Sequence, residues 1–373
     1  MSDGLNRSAA ERSVDNRTLD TSFLADLDEL EHWASASWDT PVRAMVQGGA
    51  GSRATLSANI SAWSQWALRS RVLVDVSQVD TSTTVLGVEH RTPILIAPTG
   101  LHTLVHPDGE VATAIGARDF DTTMILSSGT GRTCRDVRSV GGRTWFQFYW
   151  GRDRSRVRDN LQMAVAAGCS AICLTADLPV PPLLDAEMRY AVANLPGGPP
   201  LYVLPRKAHV AGGEWDHDSR LTWSDLAWLR ETVDVPVVVK GITTAEDAVA
   251  AAHHGVDAIV VSNHGGRSLD HGRPTAACLV EVADALGALG SAPEILVDGG
   301  IRRGRDIAVA LALGATAVLV GRPVLWGLAA NGASGVHDVL AFFHRELVAT
   351  MGMIGAAALS DLDRSRVERT IYH

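Results

Sequence analysis

One pattern constrains this chain more than any other. From residue 93 onward, a short apolar run closes in polar residues with Gly or Pro, and an Ala-rich helical segment follows, eight times over. The runs are PILIAPTG near 93, TMILSSG at 123, TWFQFYW at 144, AICLTADLP at 171, PVVVKG at 236, AIVVSNHGG at 258, EILVDGG at 294 and AVLVGRP at 317. They are rich in Val, Ile and Leu and continuous rather than alternating, as strands covered on both faces should be. Intervening segments such as TAEDAVAAAHHGVDA and GRDIAVALALGATA read as amphipathic helices. Eight strand-then-helix units over about 250 residues predict an α/β fold of the closed (β/α)8, or TIM-barrel, type. An open doubly wound sheet would need a reversal of order that the pattern does not show.

The rest of the chain frames that barrel. Residues 1–20, MSDGLNRSAAERSVDNRTLD, have no apolar core and are expected to form a mobile, solvated extension. Residues 21–373 are then a single barrel domain, opened by short helices and by LRSRVLVDVSQVDTSTTVLG, which predicts a small hairpin closing the barrel floor. The Pro- and Gly-rich stretch between the fourth and fifth runs predicts a lid-like loop at about 178–220. A net charge of −9 argues against nucleic acid or an anionic membrane as partner. No apolar run reaches the roughly 18 residues of a membrane span. The four cysteines, Cys134, Cys169, Cys173 and Cys278, form no C-x-x-C pair. They read as small buried hydrophobes of a reducing cytoplasm, and no metal set is expected.

In such a barrel the site lies at the C-terminal ends of the strands. Those ends carry Thr99, Ser127, Gln147 with Tyr149, Thr175 with Asp177, Lys240, Ser262 with His264 and Arg267, Asp298, and Arg322. All eight place polar groups at one mouth, Lys, His, Asp and two Arg among them. Glycines in DGGIRRGRD (298–306) and GRP (321–323) let backbone N–H groups approach an anion, with Arg302 and Arg322 to pair it. The loops after strands seven and eight are the usual phosphate site of this fold. Tight turns with solvated arginines are the plainer alternative.

These residues resemble the FMN-dependent 2-hydroxy acid oxidase and dehydrogenase family, which includes glycolate oxidase, lactate oxidase and mandelate dehydrogenase. The resemblance covers about residues 25–365 and is carried most specifically by SNHGGRSLD, DGGIRRG and GRP. APTG with HPDGE, FQFYW, LTADLP and VVKG support it in the correct order. It implies FMN as cofactor. Pro98, Thr99 and Gly100 would pass along the flavin ring, and Ser127, Gln147 and Thr175 would hydrogen-bond it. Lys240, beside Ser262, would sit near the N1–C2 edge, and Asp298, Gly299, Gly300, Arg302, Gly321 and Arg322 would bind the ribityl phosphate arm. His264 would be the general base and Asp177 its orienting carboxylate. Tyr149 and Arg267 would contact the developing oxyanion or the substrate carboxylate. The implied partners are a small-molecule or carrier-bound substrate, molecular oxygen or another electron acceptor, and copies of the chain itself in a tetramer or octamer.

At two places the sequence departs from that family. The tyrosine and the arginine that clamp the substrate carboxylate are replaced, on this alignment, by Met45 and Leu184. Gly129 stands where glycolate-oxidase-like members carry a tryptophan, and Gly100 leaves room near the flavin. Chemistry retained with the clamp removed implies oxidation of a bulkier, mandelate-like substrate, or one whose carboxylate is an ester, amide or thioester. An amino or hydroxyamino substrate, oxidative decarboxylation, and a catalytically silent flavin-binding scaffold stay open as alternatives.

Overall fold

In the computed structural model, which describes Thr21, residues 24–194 and residues 217–370, all eight apolar runs are strands. They are β1 (Ile94–Ile96), β2 (Thr123–Ser127), β3 (Arg143–Tyr149), β4 (Ile172–Thr175), β5 (Val237–Ile242), β6 (Ala258–Val261), β7 (Glu294–Val297) and β8 (Ala317–Val320). Each pairs in parallel with its predecessor, and β8 closes on β1 through Val318–Ile94, Leu319–Leu95 and Val320–Ile96. The closed barrel is what the pattern predicted.

The helices are α1 (Leu27–Ser37), α2 (Thr40–Gln47), α3 (Ala54–Trp63), α4 (Gly109–Phe120), α5 (Cys134–Ser139), α6 (Arg154–Ala166), α7 (Ala186–Asn194), α8 (Asp225–Thr232), α9 (Ala245–His253), α10 (Thr275–Gly287), α11 (Gly304–Ala312) and α12 (Arg322–Met353). Alternate strand residues explain why the runs are continuous. Leu95, Ile125, Trp145, Cys173, Val238, Val260, Leu296 and Leu319 fill the barrel. Their neighbours Ile94, Met124, Phe146, Leu174, Val239, Ile259, Val297 and Val318 pack outward against the helices. Neither face meets water, so a polar residue there, such as Gln147 or Lys240, needs a buried hydrogen-bond partner.

The expected hairpin is present, with strands Thr83–Val85 and Val88–His90. Its Val85 is buried in the barrel-filling cluster, and its Leu86 N–H donates to the Glu294 carboxylate at the foot of β7. A separate pair, Trp66–Leu68 with Val367–Arg369, ties the two ends of the domain together. The extension expected at residues 1–20, and residues 195–216 of the lid expected at about 178–220, lie outside the described residues. Within 178–194 the chain is partly helical, as α7. Among the described residues no helix is long and apolar enough to cross a membrane.

Candidate active site

The strand ends converge on a cleft of about 1200 Å³, counted to its open mouth. Its walls include Met45, Pro98, Thr99, Gly100, Ser127, Gly129, Tyr149, Lys240, His264, Arg267, Asp298, Gly299, Gly300, Arg302, Gly321 and Arg322.

The loop after β6 supplies the histidine. Ser262 is buried and accepts the His264 N–H at 3.1 Å. His264, Gly265 and Gly266 all have positive φ, 60°, 62° and 76°. For a histidine that conformation is strained by roughly 1 kcal/mol or more, so surrounding contacts must enforce it. They do. Asn263 exchanges two 2.8 Å hydrogen bonds with Asn59 of α3, and its Oδ1 also accepts the Gly266 N–H. At Gly266 a Cβ would stand 2.5 Å from the Leu56 nitrogen, so no other residue lets α3 approach.

His264 Nδ1 lies 3.0 Å from Asp177 Oδ1, and its Nε2 lies 3.4 Å from the Tyr149 hydroxyl. Burial alone would raise the Asp177 pKa, but His264 and Lys240 outweigh it, and the carboxyl is held below its ordinary value. Asp177 is brought there by a bulge in β5. Gly241 has φ 113°, and a Cβ on it would sit 2.7 Å from that of Asp177.

Lys240 is buried, with Nζ 2.7 Å from Ser262 Oγ and 3.3 Å from Asp298 Oδ2. Burial opposes its charge, yet Asp298 and then Asp177 raise its pKa, so the site holds a fixed ammonium. Ser127, Gln147 and Thr175 form a buried chain of 2.9 Å hydrogen bonds across β2, β3 and β4. Of these three, Ser127 reaches the cleft.

The far end is crowded with cations. Arg322 donates to the carbonyls of Val46, Gly48 and Gly265 at 3.0–3.2 Å, and Arg267 donates to Gly48 O at 3.0 Å. Burial, then the charges of Arg267 and Arg302, push the Arg322 pKa down to about 9. Arg302, lowered chiefly by burial, stacks 5.0 Å above the Trp326 ring. Guanidinium groups gathered at one end of a cleft, with Arg267 and Arg302 disfavouring the charge of Arg322, suit an anion. At the other end Asp298 Oδ1 is buried without a hydrogen-bond partner among the described residues. These donors fit a phosphorylated flavin: cations for the phosphate, a polar chain and a lysine for the ring.

Two of the three departures reach the cleft. Met45 and Gly129 line the cleft. Leu184 does not; it pairs with Ala50 just behind the wall. Arg189, the next arginine along the chain, is exposed and donates to Leu184 O. Among the described residues, the cations lining the cleft are thus Lys240, Arg267, Arg302 and Arg322, besides His264.

Sequence reasoning missed several residues here. Asn59 has no motif of its own, and its role depends on α3 meeting the β6 loop. His217 is buried, stacks on Tyr149 at 4.4 Å and holds Leu178 O at 3.1 Å. Asp185 straps residues 183–185 to the turn at 49–53, accepting from Gly49 N at 2.9 Å and pairing Arg53 at 2.6 Å. Glu110 joins two wall loops by accepting the N–H groups of His102 and Gly131, both at 3.0 Å. Buried His102 bonds Thr99 and Thr113.

A family model described as FMN-dependent dehydrogenase matches residues 34–369. L-lactate oxidase from Nostoc sp. is 40% identical over 337 residues, spanning 85% of this chain and 90% of its own length. Glycolate oxidase from Spinacia oleracea is 37% identical over 359 residues, spanning 92% and 95%. A solved mandelate oxidase bound to (S)-mandelic acid superposes with TM-score 0.84 at 35% identity, covering 93% of this chain and 99% of that one. An arginine-to-leucine variant of mandelate oxidase with 2-hydroxy-phenylacetamide gives 0.83 at 36%, with the same coverage.

Proposed function

Since the chain belongs to the FMN-dependent dehydrogenase family, we propose that its substrate is a bulky, mandelate-like 2-hydroxy acid derivative whose carboxylate is masked as an amide or ester. The family places the enzyme among FMN-dependent oxidoreductases acting on the CH–OH group of 2-hydroxy acids. One observation carries the substrate reading: the His264–Asp177–Tyr149 set is assembled, while the wall where a carboxylate would be clamped offers Met45 and, behind it, Leu184.

A neighbouring structure supports it. The tyrosine and arginine varied in the solved mandelate oxidases are 35 residues apart, the separation between Tyr149 and Leu184 here. The arginine-to-leucine variant was solved with an amide, 2-hydroxy-phenylacetamide. Leucine is the native residue of this chain at the corresponding spacing. A bidentate contact to a carboxylate is worth on the order of 1.5–3 kcal/mol, and its absence costs a free acid that much while costing an amide little.

The residues then act as follows. Asp177 Oδ1, ionised, holds the Nδ1–H tautomer of His264, which leaves Nε2 to take a proton from the substrate's α-carbon or hydroxyl. Asp177 also steadies the imidazolium that results. Tyr149, at 3.4 Å from Nε2, and Arg267 face the substrate oxygens. Gly100 and Gly129 leave space for an aryl group. Lys240 supplies a buried positive charge that compensates charge building up in the cleft. Bound FMN supplies the two-electron acceptor. Ser127 and Lys240 would hold its ring, with Gln147 and Thr175 bonded in a chain behind Ser127, and Arg302, Arg322 and the glycines Gly299, Gly300 and Gly321 its phosphate. Cytoplasmic location and a tetramer or octamer belong to the same reading, checked by fractionation and light scattering.

Anaerobic flavin bleaching with mandelate, its amide and its methyl ester, against glycolate and lactate, tests the proposal. Faster bleaching by the amide or ester supports it, and a clear preference for glycolate or lactate sinks it. Absence of bleaching by every compound would favour the scaffold.

A further inference from the structure

Tyr149 and Asp177 meet the two nitrogens of one imidazole but come from the ends of different strands, β3 and β4. His217 is placed to hold them in step. Its ring stacks on the Tyr149 ring, with centroids 4.4 Å apart and planes 17° from parallel. Its Nδ1 lies 3.1 Å from Leu178 O, a carbonyl that can only accept, so Nδ1 carries the proton and donates. Leu178 follows Asp177 directly. The contacts therefore close a ring: His264 to Asp177, Leu178 to His217, His217 to Tyr149, and Tyr149 back to His264.

His217 is itself fixed. It pairs antiparallel with Gly151, two residues beyond Tyr149, and the next N–H, that of Asp218, donates to Trp150 O at 2.8 Å. The residue is buried, so packing rather than solvent sets where its ring lies. Tyr149 needs such a stop. It borders the cleft and also, among the described residues, a second cavity walled by His217, Trp150, Leu178, Leu221 and Trp223. A staggered rotamer directed into that cavity would carry the hydroxyl away from His264. The contact to Nε2, at 3.4 Å, is already long for a hydrogen bond, so a small displacement would break it.

We infer that His217 is a positioning residue: stacked on Tyr149 and bonded to Leu178 O, it holds the Tyr149 hydroxyl against His264 and so sets the rate of substrate deprotonation. This rests on the roles given to Tyr149 and His264 above. His217 acts through Tyr149 and does not itself line the cleft.

The test is a double-mutant cycle on FMN-loaded, full-length enzyme. Anaerobic stopped-flow flavin reduction is followed at saturating mandelate or 2-hydroxy-2-phenylacetamide, whichever reduces faster. Tyr149→Phe should slow reduction by about tenfold or more, as loss of a donor to a developing oxyanion does. His217→Ala should slow it by about tenfold, the scale of a misplaced reacting group. With Tyr149→Phe already present, adding His217→Ala should slow it less than about twofold, because no hydroxyl is left to misplace. His217→Phe keeps a ring against Tyr149 and should be at least about threefold faster than His217→Ala. If His217→Ala does not hold FMN, His217→Asn, which keeps a donor for Leu178 O without the ring, takes its place in the cycle. Equal slowing in both Tyr149 backgrounds is what general damage to the fold would give. That result, an unchanged rate in His217→Ala, or a His217→Phe no faster than His217→Ala overturns the positioning role and leaves Tyr149 and His264 in theirs. An unchanged rate in Tyr149→Phe removes Tyr149 from the reaction, and the role of His217 falls with it. Absence of reduction by either compound overturns both readings.

Discussion

The two walls of the cleft are built by opposite rules. On the His264 wall, polar groups are paired and fixed: Asp177 to His264, Lys240 to Ser262 and Asp298, Asn263 to Asn59. Strain at His264 and the close approaches at Gly241 and Gly266 are tolerated because those pairings over-determine the backbone. The Met45 wall presents an apolar side chain beside Arg267 and Arg322, whose guanidinium groups donate to the Gly48 carbonyl. There the polar groups of the neighbouring turn, Asp185 and Arg53, are turned to holding segments together. A wall that must move a proton cannot vary without losing the reaction, whereas a wall that only recognises can be rebuilt for another ligand. On the proposed reading, reaction type belongs to one wall and substrate to the other.

Breaking the first wall should give the largest effect. His264→Ala is expected to slow flavin reduction by about 10²–10⁴-fold, the range for loss of a positioned base, with the bound FMN spectrum retained. Reduction persisting near the wild-type rate would remove His264 from its role. The anion end should respond less. Arg322→Met is expected to weaken FMN binding by about 10–100-fold, the worth of a charge-assisted contact. Riboflavin binding to the apoprotein, measured by fluorescence quenching, should change less than twofold. Equal losses for both flavins would mean that Arg322 holds the ring or the fold rather than the phosphate.

How much of this was legible in the sequence divides along the same line. The strands were legible because burial on both faces forces unbroken apolar runs, and β2, β6, β7 and β8 begin where those runs begin. His264, Asp177, Lys240 and Arg322 were legible because a barrel fixes where strand ends point. Asn59, Asp185 and His217 were not, since each acts through a partner far along the chain. Asn59 meets Asn263 across 204 residues, and Asp185 meets Gly49 across 136. No periodicity or local motif marks such pairs. Leu184 shows the intermediate case: it was read from the sequence as standing in place of a cation, while its pairing with Ala50, away from the cleft lining, emerged only from the fold.

That position makes the second wall a sharper test. Leu184→Arg, alone and with Met45→Tyr, should shift the ratio of kcat/KM for mandelate to that for its amide by about tenfold or more toward the acid. The rate of reduction at saturating amide should stay within a few-fold, because the His264 wall is untouched. If the double variant gains nothing for the acid, Leu184 is too far behind the wall to hand a guanidinium to the cleft, and specificity must lie with Gly129 and Arg267.

The smallest effect is expected where the two walls are joined by the strap. Asp185 is buried, and although burial would raise its pKa, the bonds from Arg53, Gly49 and Met188 hold it down at about 2. Its value in the unfolded chain is near 3.9, so the folded pKa is the lower one. The stabilisation is therefore fully present above about pH 4 and is lost as the pH falls through the folded value of about 2. A shift of that size corresponds to roughly 2 kcal/mol. Asp185→Asn should lower the urea midpoint at pH 7 by a corresponding amount. The gap to wild type should hold to about pH 4.5 and begin to narrow near pH 3.5, because the wild type then starts to lose what the variant never had. Because the strapped residues include Leu184, the same variant should raise KM for the amide while leaving the reduction rate at saturation unchanged. A fall in that rate with no change in KM would mean that the strap supports the His264 wall, and the division between the two walls would not hold.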